Sequence, residues 1–130
     1  MKEIYKKYIR NISWFIPDDR IYTDDLRCLA WGTDAGFYRH IPQVVVRSKT
    51  EEEVSRLLAE ASKLGLPVTF RAAGTSLSGQ TTTDSIMIVA GKNWEKYDIE
   101  GFYIIAKSKA EAKICLLYTS PSPRDLSTSR

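Results

Sequence analysis

The residues with the greatest chemical capacity form one continuous run, Arg71-Ala72-Ala73-Gly74-Thr75-Ser76-Leu77-Ser78-Gly79-Gln80-Thr81-Thr82-Thr83. Gly74 and Gly79 let the backbone turn sharply and approach a ligand closely. Thr75, Ser76, Ser78 and Thr81–Thr83 offer hydroxyl donors, and successive backbone N–H groups can form a concave anion nest. Arg71 adds a positive charge and a donor fork suited to phosphate. These are the parts that hold a pyrophosphate, although composition alone would also suit a flexible surface loop. Gly74-x-x-x-x-Gly79-Gln80-Thr81 matches the nucleoside-triphosphate loop except that Gln80 stands where a lysine must neutralise the phosphates. Such a loop must also open a helix, whereas the next periodic segment here is the strand-like Ile86–Val89. Triphosphate hydrolysis is therefore disfavoured, and no G-x-G-x-x-G dinucleotide fingerprint is present.

Other candidates are weaker. His40 is the single histidine and could act as a base near neutral pH, but its place before Ile41-Pro42 at the entry to a strand suits a structural role. Asp24, Asp25 and Asp34 lie in a turn-rich segment, where aspartates serve as caps and turn formers rather than cation ligands. Cys28 reads as a small packing residue. Trp14, Trp31 and Trp94 could stack on a flat ligand, but core or interface packing suits each better. No residue is assigned as catalytic, and none as a metal ligand.

The elements that would position the loop follow from hydrophobic spacing. Residues 1–12 read as an amphipathic helix, with Ile4, Tyr5, Tyr8, Ile9 and Ile12 at helical intervals and a solvated face of Lys2, Lys6, Lys7 and Arg10. Ser13 to His40 shows no period and reads as irregular with short turns. Val44-Val45-Val46 is a β-branched strand. Thr50 and Glu53 form a capping box before the stripe Val54, Leu57, Leu58, Ala61 and Leu64, and Gly65 and Pro67 end that helix. Val68-Thr69-Phe70 completes a βαβ unit with parallel strands and a right-handed crossover. Ile86-Met87-Ile88-Val89 is a strand buried on both faces. Phe102–Ile105 is a further strand candidate, and Lys107–Ile114 a possible helix.

Composition sets the outer limits. With 130 residues, 43% apolar and 27% charged, the chain has room for one globular domain. A formal charge of +3 from 19 basic and 16 acidic residues is too even for a nucleic-acid protein. Two cysteines, Cys28 and Cys115, exclude a disulfide framework, a zinc finger or an iron–sulfur cluster held by this chain alone. No apolar run is long enough for a membrane helix, and no signal-peptide core follows the basic N-terminus. The default expectation is a soluble cytoplasmic protein. Residues 115–130, rich in Ser, Thr, Pro and Arg, read as a non-native disordered tail; the string Cys115–Asp125 resembles translated sequencing-adapter read-through.

Phe70 to Gln80 resembles the FAD pyrophosphate loop of the vanillyl-alcohol-oxidase or PCMH-type flavoproteins, and in particular the D-lactate dehydrogenase and glycolate oxidase branch of FAD-linked oxidases. Ile41–Arg47 and Thr50–Val54 resemble the opening of that family's FAD domain, and Leu29–Tyr38 the segment before it. Many members carry glycine where Ala72 stands; the alanine form is similar to a branch whose longer members add a C-terminal iron–sulfur region. The resemblance spans about residues 12–100.

The expected fold is α/β (or α+β): a partial PCMH-type FAD-binding domain with a βαβ unit, a small mixed sheet and one clear helix. Residues 1–36 would form an N-terminal helix and irregular lead-in, and residues 37–114 the N-terminal part of that domain. The resemblance implies FAD as cofactor, bound by Arg71, Ala72, Ala73, Gly74, Thr75, Ser76, Leu77, Ser78, Gly79 and Gln80. It implies a parent flavin oxidoreductase acting on a small D-2-hydroxy acid, with an electron acceptor the residues do not identify. The alternative is a non-enzymatic βαβ phosphate-binding or interaction module. A chain ending this early is expected to be a catalytically silent fragment that exposes the apolar faces of Val44–Val46 and Ile86–Val89.

Overall fold

The computed structural model describes residues 2–100 and 103–107. Its elements are α1 (Glu3–Ile12), β1 (Ile21–Tyr22), α2 (Asp25–Trp31), β2 (Val44–Ser48), α3 (Glu51–Lys63), β3 (Val68–Arg71), β4 (Ile86–Ala90), β5 (Lys96–Glu100) and β6 (Tyr103–Lys107). The main sheet has the order β1-β2-β4-β3, with β1 antiparallel to β2 and the other three strands parallel. β5 and β6 form a separate antiparallel pair. The fold is thus a mixed α/β arrangement around a small mixed sheet, as expected from the spacing.

β2 and β3 are parallel but not adjacent, because β4 lies between them. Ile86, Met87, Ile88 and Val89 are all buried, so this strand needs neighbours on both edges as well as both faces, and the central place supplies them. β3 tolerates the edge because Phe70 is half exposed. The placement has a consequence for the chain between them. β3 and β4 are parallel neighbours, so residues 72–85 must travel back along the sheet before β4 can start. A helix usually makes that return; here the polar, glycine-containing run makes it.

The two faces of the sheet are covered differently. Val44, Val46, Ile86 and Ile88 pack against Tyr5, Tyr8 and Ile12 of α1 and Val54, Leu57 and Ala61 of α3. Val45, Met87 and Val89 pack against Cys28 of α2, with Tyr22 and Trp31 beside them. The strands expected to be exposed by truncation are therefore covered: Val44–Val46 and Ile86–Val89 are buried, because α1 and α2 close the two faces within this chain. Large exposed apolar side chains lie elsewhere, with Phe37 at 102% and Leu77 at 75% exposure.

α2 is an element that hydrophobic spacing missed. It is short, and its apolar side divides between buried Cys28 and exposed Leu26 and Leu29, so no stripe shows. Its signal is the cap: the Asp24 carboxylate accepts the Arg27 N–H at 3.0 Å. The aspartates do serve as caps and turn formers, since Asp34 likewise accepts the Gly36 N–H at 2.7 Å. Of the tryptophans, Trp94 packs against the α1–α3 core and donates to the Ser48 carbonyl at 3.1 Å. Trp14 does not pack inside; it is 72% exposed and lies against Phe15 and the Arg56 guanidinium. The expected tail, residues 115–130, and the possible helix at 107–114 fall outside the described residues, apart from Lys107.

α3 begins and ends as its sequence requires, with one shift. Thr50 accepts the Glu53 N–H at 3.2 Å, but the Glu53 carboxylate reaches the Lys49 N–H at 2.7 Å, one residue earlier than a standard box. The reason is that Glu53 also holds the buried Arg20 guanidinium through two bonds, at 2.9 and 2.8 Å. At the other end Gly65 takes φ +63°, and the Leu66 and Gly65 N–H groups cap the Ala61 and Ser62 carbonyls. Burial pushes the Glu53 carboxyl upward, but the Arg20 and backbone bonds outweigh it and leave it below the ordinary 4.5. A carboxyl depressed in the folded state contributes its full stability above the unfolded value and loses it as pH falls through the folded one. Glu53→Gln should lower unfolding stability at neutral pH by about 3 kcal/mol, the cost of stranding a buried guanidinium. Urea denaturation at a series of pH values should show that this deficit shrinks below pH 4.5; a pH-independent deficit would refute the assignment.

Candidate functional site

The return run from β3 to β4 lies on the α2 face, against the segment that follows α2. Six contacts fix it there. The Arg71 Nη1 donates to the Trp31 carbonyl at 3.1 Å and to the Thr33 carbonyl. The Ala35 N–H donates to the Gly74 carbonyl at 3.2 Å. Gly36 backs onto the Leu77 carbonyl, where a Cβ would sit 2.6 Å from the oxygen. The Tyr38 ring covers Gly79. His40 Nδ1 lies 2.9 Å from Thr82 Oγ1.

The last contact fixes a tautomer. Thr82 Oγ1 gives its one proton to the Gly79 carbonyl at 2.9 Å, so it must accept from His40, and Nδ1 carries the hydrogen. His40 thus ties the segment before β2 to the end of the loop. The same carbonyl accepts the Thr82 N–H at 3.2 Å, and Gly79 is held in a tight turn.

The sequence singled out Gly74 and Gly79, and both adopt φ +73°, a region unfavourable for any residue with a Cβ. Gly74 is further constrained from below. A Cβ there would meet Arg71 Nη2 at 2.4 Å. This geometry changes the part played by Arg71. Its fork, expected to grip phosphate directly, is turned inward to two carbonyls, and its plane lies over the Trp31 ring with Cζ 5.2 Å from the centroid. Even so, Arg71 makes no ion pair among the described residues, and its buried Nε has no acceptor. A guanidinium that makes no ion pair among the described residues thus sits under Gly74.

Above that charge the loop presents donors. Among the described residues, the N–H groups of Ala73, Gly74, Thr75, Ser76 and Leu77 donate to no protein acceptor. Ser76 Oγ accepts the Ser78 and Gln80 N–H groups, each at 3.2 Å, which leaves its own hydrogen to donate. Ala72, Ala73, Thr75, Leu77 and Ser78 are exposed. The ten residues marked in the sequence thus lie on one stretch of backbone, with Arg71 beneath it rather than on it. An anion over residues 73–77 would satisfy the free donors and neutralise Arg71. What sequence reasoning missed is the support from Thr33, Ala35 and Tyr38, and that Trp31 and His40 join it. Only Gly36 hinted at a close backbone approach. Among the described residues, no group of acidic, histidine or cysteine side chains could hold a metal ion.

A family model described as an FAD binding domain matches residues 42–108. No curated protein sequence matches the chain significantly. Among solved structures, the fold resembles an alkyldihydroxyacetonephosphate synthase, with a TM-score of 0.63 at 16% identity over 78% of this chain and 22% of that one. It also resembles p-cresol methylhydroxylase with substrate bound, at TM-score 0.62 and 16% identity over 82% of this chain and 22% of that one. A third is the isoeugenol complex of 4-ethylphenol oxidase from Gulosibacter chungangensis, at TM-score 0.57 and 17% identity over 82% and 22% of the two chains. At these identities the likeness is one of fold. The chain spans 22% of the length of each of these proteins.

Gly79→Ala should destabilise the fold by about 1–2 kcal/mol, from the left-handed backbone alone, with an added cost from the Tyr38 ring. Thermal denaturation of the double variant Tyr38→Ala, Gly79→Ala should show the second substitution costing less than in the parent. Equal costs in both backgrounds would show that Tyr38 does not press on the turn.

Proposed function

The chain belongs to the family of FAD binding domains, and from that premise we propose that residues 72–80 hold the FAD pyrophosphate. FAD is the cofactor of this family. The observation that carries the proposal is the coincidence of N–H groups without a protein acceptor at residues 73–77 with a guanidinium, unpaired among the described residues, beneath Gly74. A cradle of backbone donors suits a pyrophosphate because its charge is spread over several oxygens, each needing a donor at a fixed direction. Ser76, whose hydroxyl hydrogen remains free, would add a further bond. Thr75 and Ser78 are exposed on the same stretch and available to do so.

The parent reading is a flavin oxidoreductase acting on a D-2-hydroxy acid of the D-lactate or glycolate type. Its support is the resemblance of Phe70–Gln80, including Ala72, to that branch. When bound, FAD supplies the electron chemistry by accepting a hydride from substrate. This chain's residues would bind and orient the cofactor's phosphates, and no residue among those described is assigned to proton transfer. The alternative, a phosphate-binding module with no redox role, shares the loop but would not distinguish a flavin nucleotide from other diphosphates.

Calorimetric titration of the chain with FAD, ADP and riboflavin tests the pyrophosphate assignment. FAD and ADP should bind and riboflavin, which lacks phosphate, should not. Gly74→Val should weaken FAD at least roughly tenfold, since a branched side chain must displace Arg71 or close the nest. Riboflavin binding as tightly as FAD, or an unaffected Gly74→Val variant, would place the cofactor elsewhere. For the substrate, a longer protein carrying these residues should have its flavin bleached anaerobically by D-lactate or glycolate and not by L-lactate. No bleaching by either acid would remove the hydroxy-acid reading and leave the cofactor assignment standing.

A further inference from the structure

A second concavity lies at the carboxyl ends of β2 and β4, the end of a parallel sheet at which ligands commonly bind. It has a volume of about 200 Å³ and is lined by Asp19, Arg20, Arg47, Lys49, Lys92 and Asn93, among others. Arg20 is 8% exposed, and Glu53 neutralises it. Its two terminal nitrogens are spent on Glu53 and the Arg47 carbonyl, but its buried Nε has no acceptor. Arg47, Lys49 and Lys92 form no ion pair among the described residues. Arg47 makes only a long bond, 3.4 Å, to the Tyr22 hydroxyl. Three cations with no ion pair among the described residues, against the one carboxylate of Asp19, leave an excess of two positive charges in the lining.

We propose that this cavity is an anion site for a phosphate dianion, either inorganic phosphate or the phosphoryl group of a small phosphomonoester. Charge decides for phosphate over a monocarboxylate, because two excess positive charges match a dianion. Size decides for a small ligand, because drug-sized pockets begin at roughly 300 Å³. Arg47, Lys49 and Lys92 would contact the oxygens, and the Asn93 amide would add a neutral donor. The Arg20–Glu53 pair makes the wall rigid, so the cavity is formed before the ligand arrives. The site is separate from residues 72–80. It is lined from the Arg20 turn and the ends of β2 and β4, whereas the loop lies on the α2 face.

Amide NMR of the full chain titrated with inorganic phosphate tests this. Amides of Arg47, Lys49, Lys92 and Asn93 should shift together with one midpoint. Glycerol phosphate should do the same if a monoester is accepted, and its failure beside a positive phosphate result would assign the site to the free ion. Acetate should be far weaker. Lys49→Gln with Lys92→Gln should raise that midpoint roughly tenfold or more, as expected for losing two charge-assisted contacts. Should the pair fail to fold, Lys92→Gln alone changes one exposed side chain and should still raise it. Unchanged midpoints in these variants, an equal midpoint for acetate, or shifts confined to residues 73–77 would each overturn the proposal. Shifts at residues 73–77 report the nucleotide loop independently, so either site can fail without the other.

Discussion

Two neighbouring strands that run in the same direction leave the chain at the wrong end of the sheet, and the rest of this molecule is organised around the return. β3 and β4 are such a pair. The intervening residues must cross the sheet face without the internal hydrogen bonds a helix would supply. They find partners instead in the segment after α2, through Arg71, Gly74, Tyr38 and His40. What those partners leave without an acceptor is a short row of N–H groups, at residues 73–77, beside a guanidinium. On the proposed reading, a binding surface for anions is a by-product of how the crossover is made.

On the proposed reading, Arg71 serves fold and function by the same contact. Its bonds to Trp31 and Thr33 anchor the start of the crossover. Both acceptors are neutral, so the charge is held but not cancelled. A carboxylate partner would have stabilised the resting loop and removed its attraction for phosphate. Gly74 is required twice over, by its φ and by the guanidinium beneath it. Gly79 is required by its φ and by Tyr38.

Much of this was legible in the residues. The α1 stripe, the Thr50–Gly65 helix and the strands of Val44–Val46, Val68–Phe70 and Ile86–Val89 all carry strong local signals, and they form where expected. Strand order was not legible, because adjacency depends on which strand most needs burial, a comparison across the whole chain. α2 escaped notice because its apolar residues divide between core and solvent. Gly74 and Gly79, which the sequence singled out, take the left-handed backbone their type suggested. The inward turn of Arg71 could not be read, since its acceptors are backbone carbonyls about forty positions away, and carbonyls have no sequence signature. The covering of both sheet faces escaped for a similar reason: α1 and α2 close them through long-range contacts.

The central claim is that the crossover is a pyrophosphate cradle charged from beneath by Arg71. Residue-resolved amide NMR of the chain titrated with FAD, compared with Arg71→Met, tests it most directly. The account predicts that the largest shifts fall on residues 73–77 and that Arg71→Met weakens FAD roughly tenfold, the loss expected for removing one nearby positive charge. FAD binding with no shift at residues 73–77, or with the same affinity in a folded Arg71→Met chain, would contradict it.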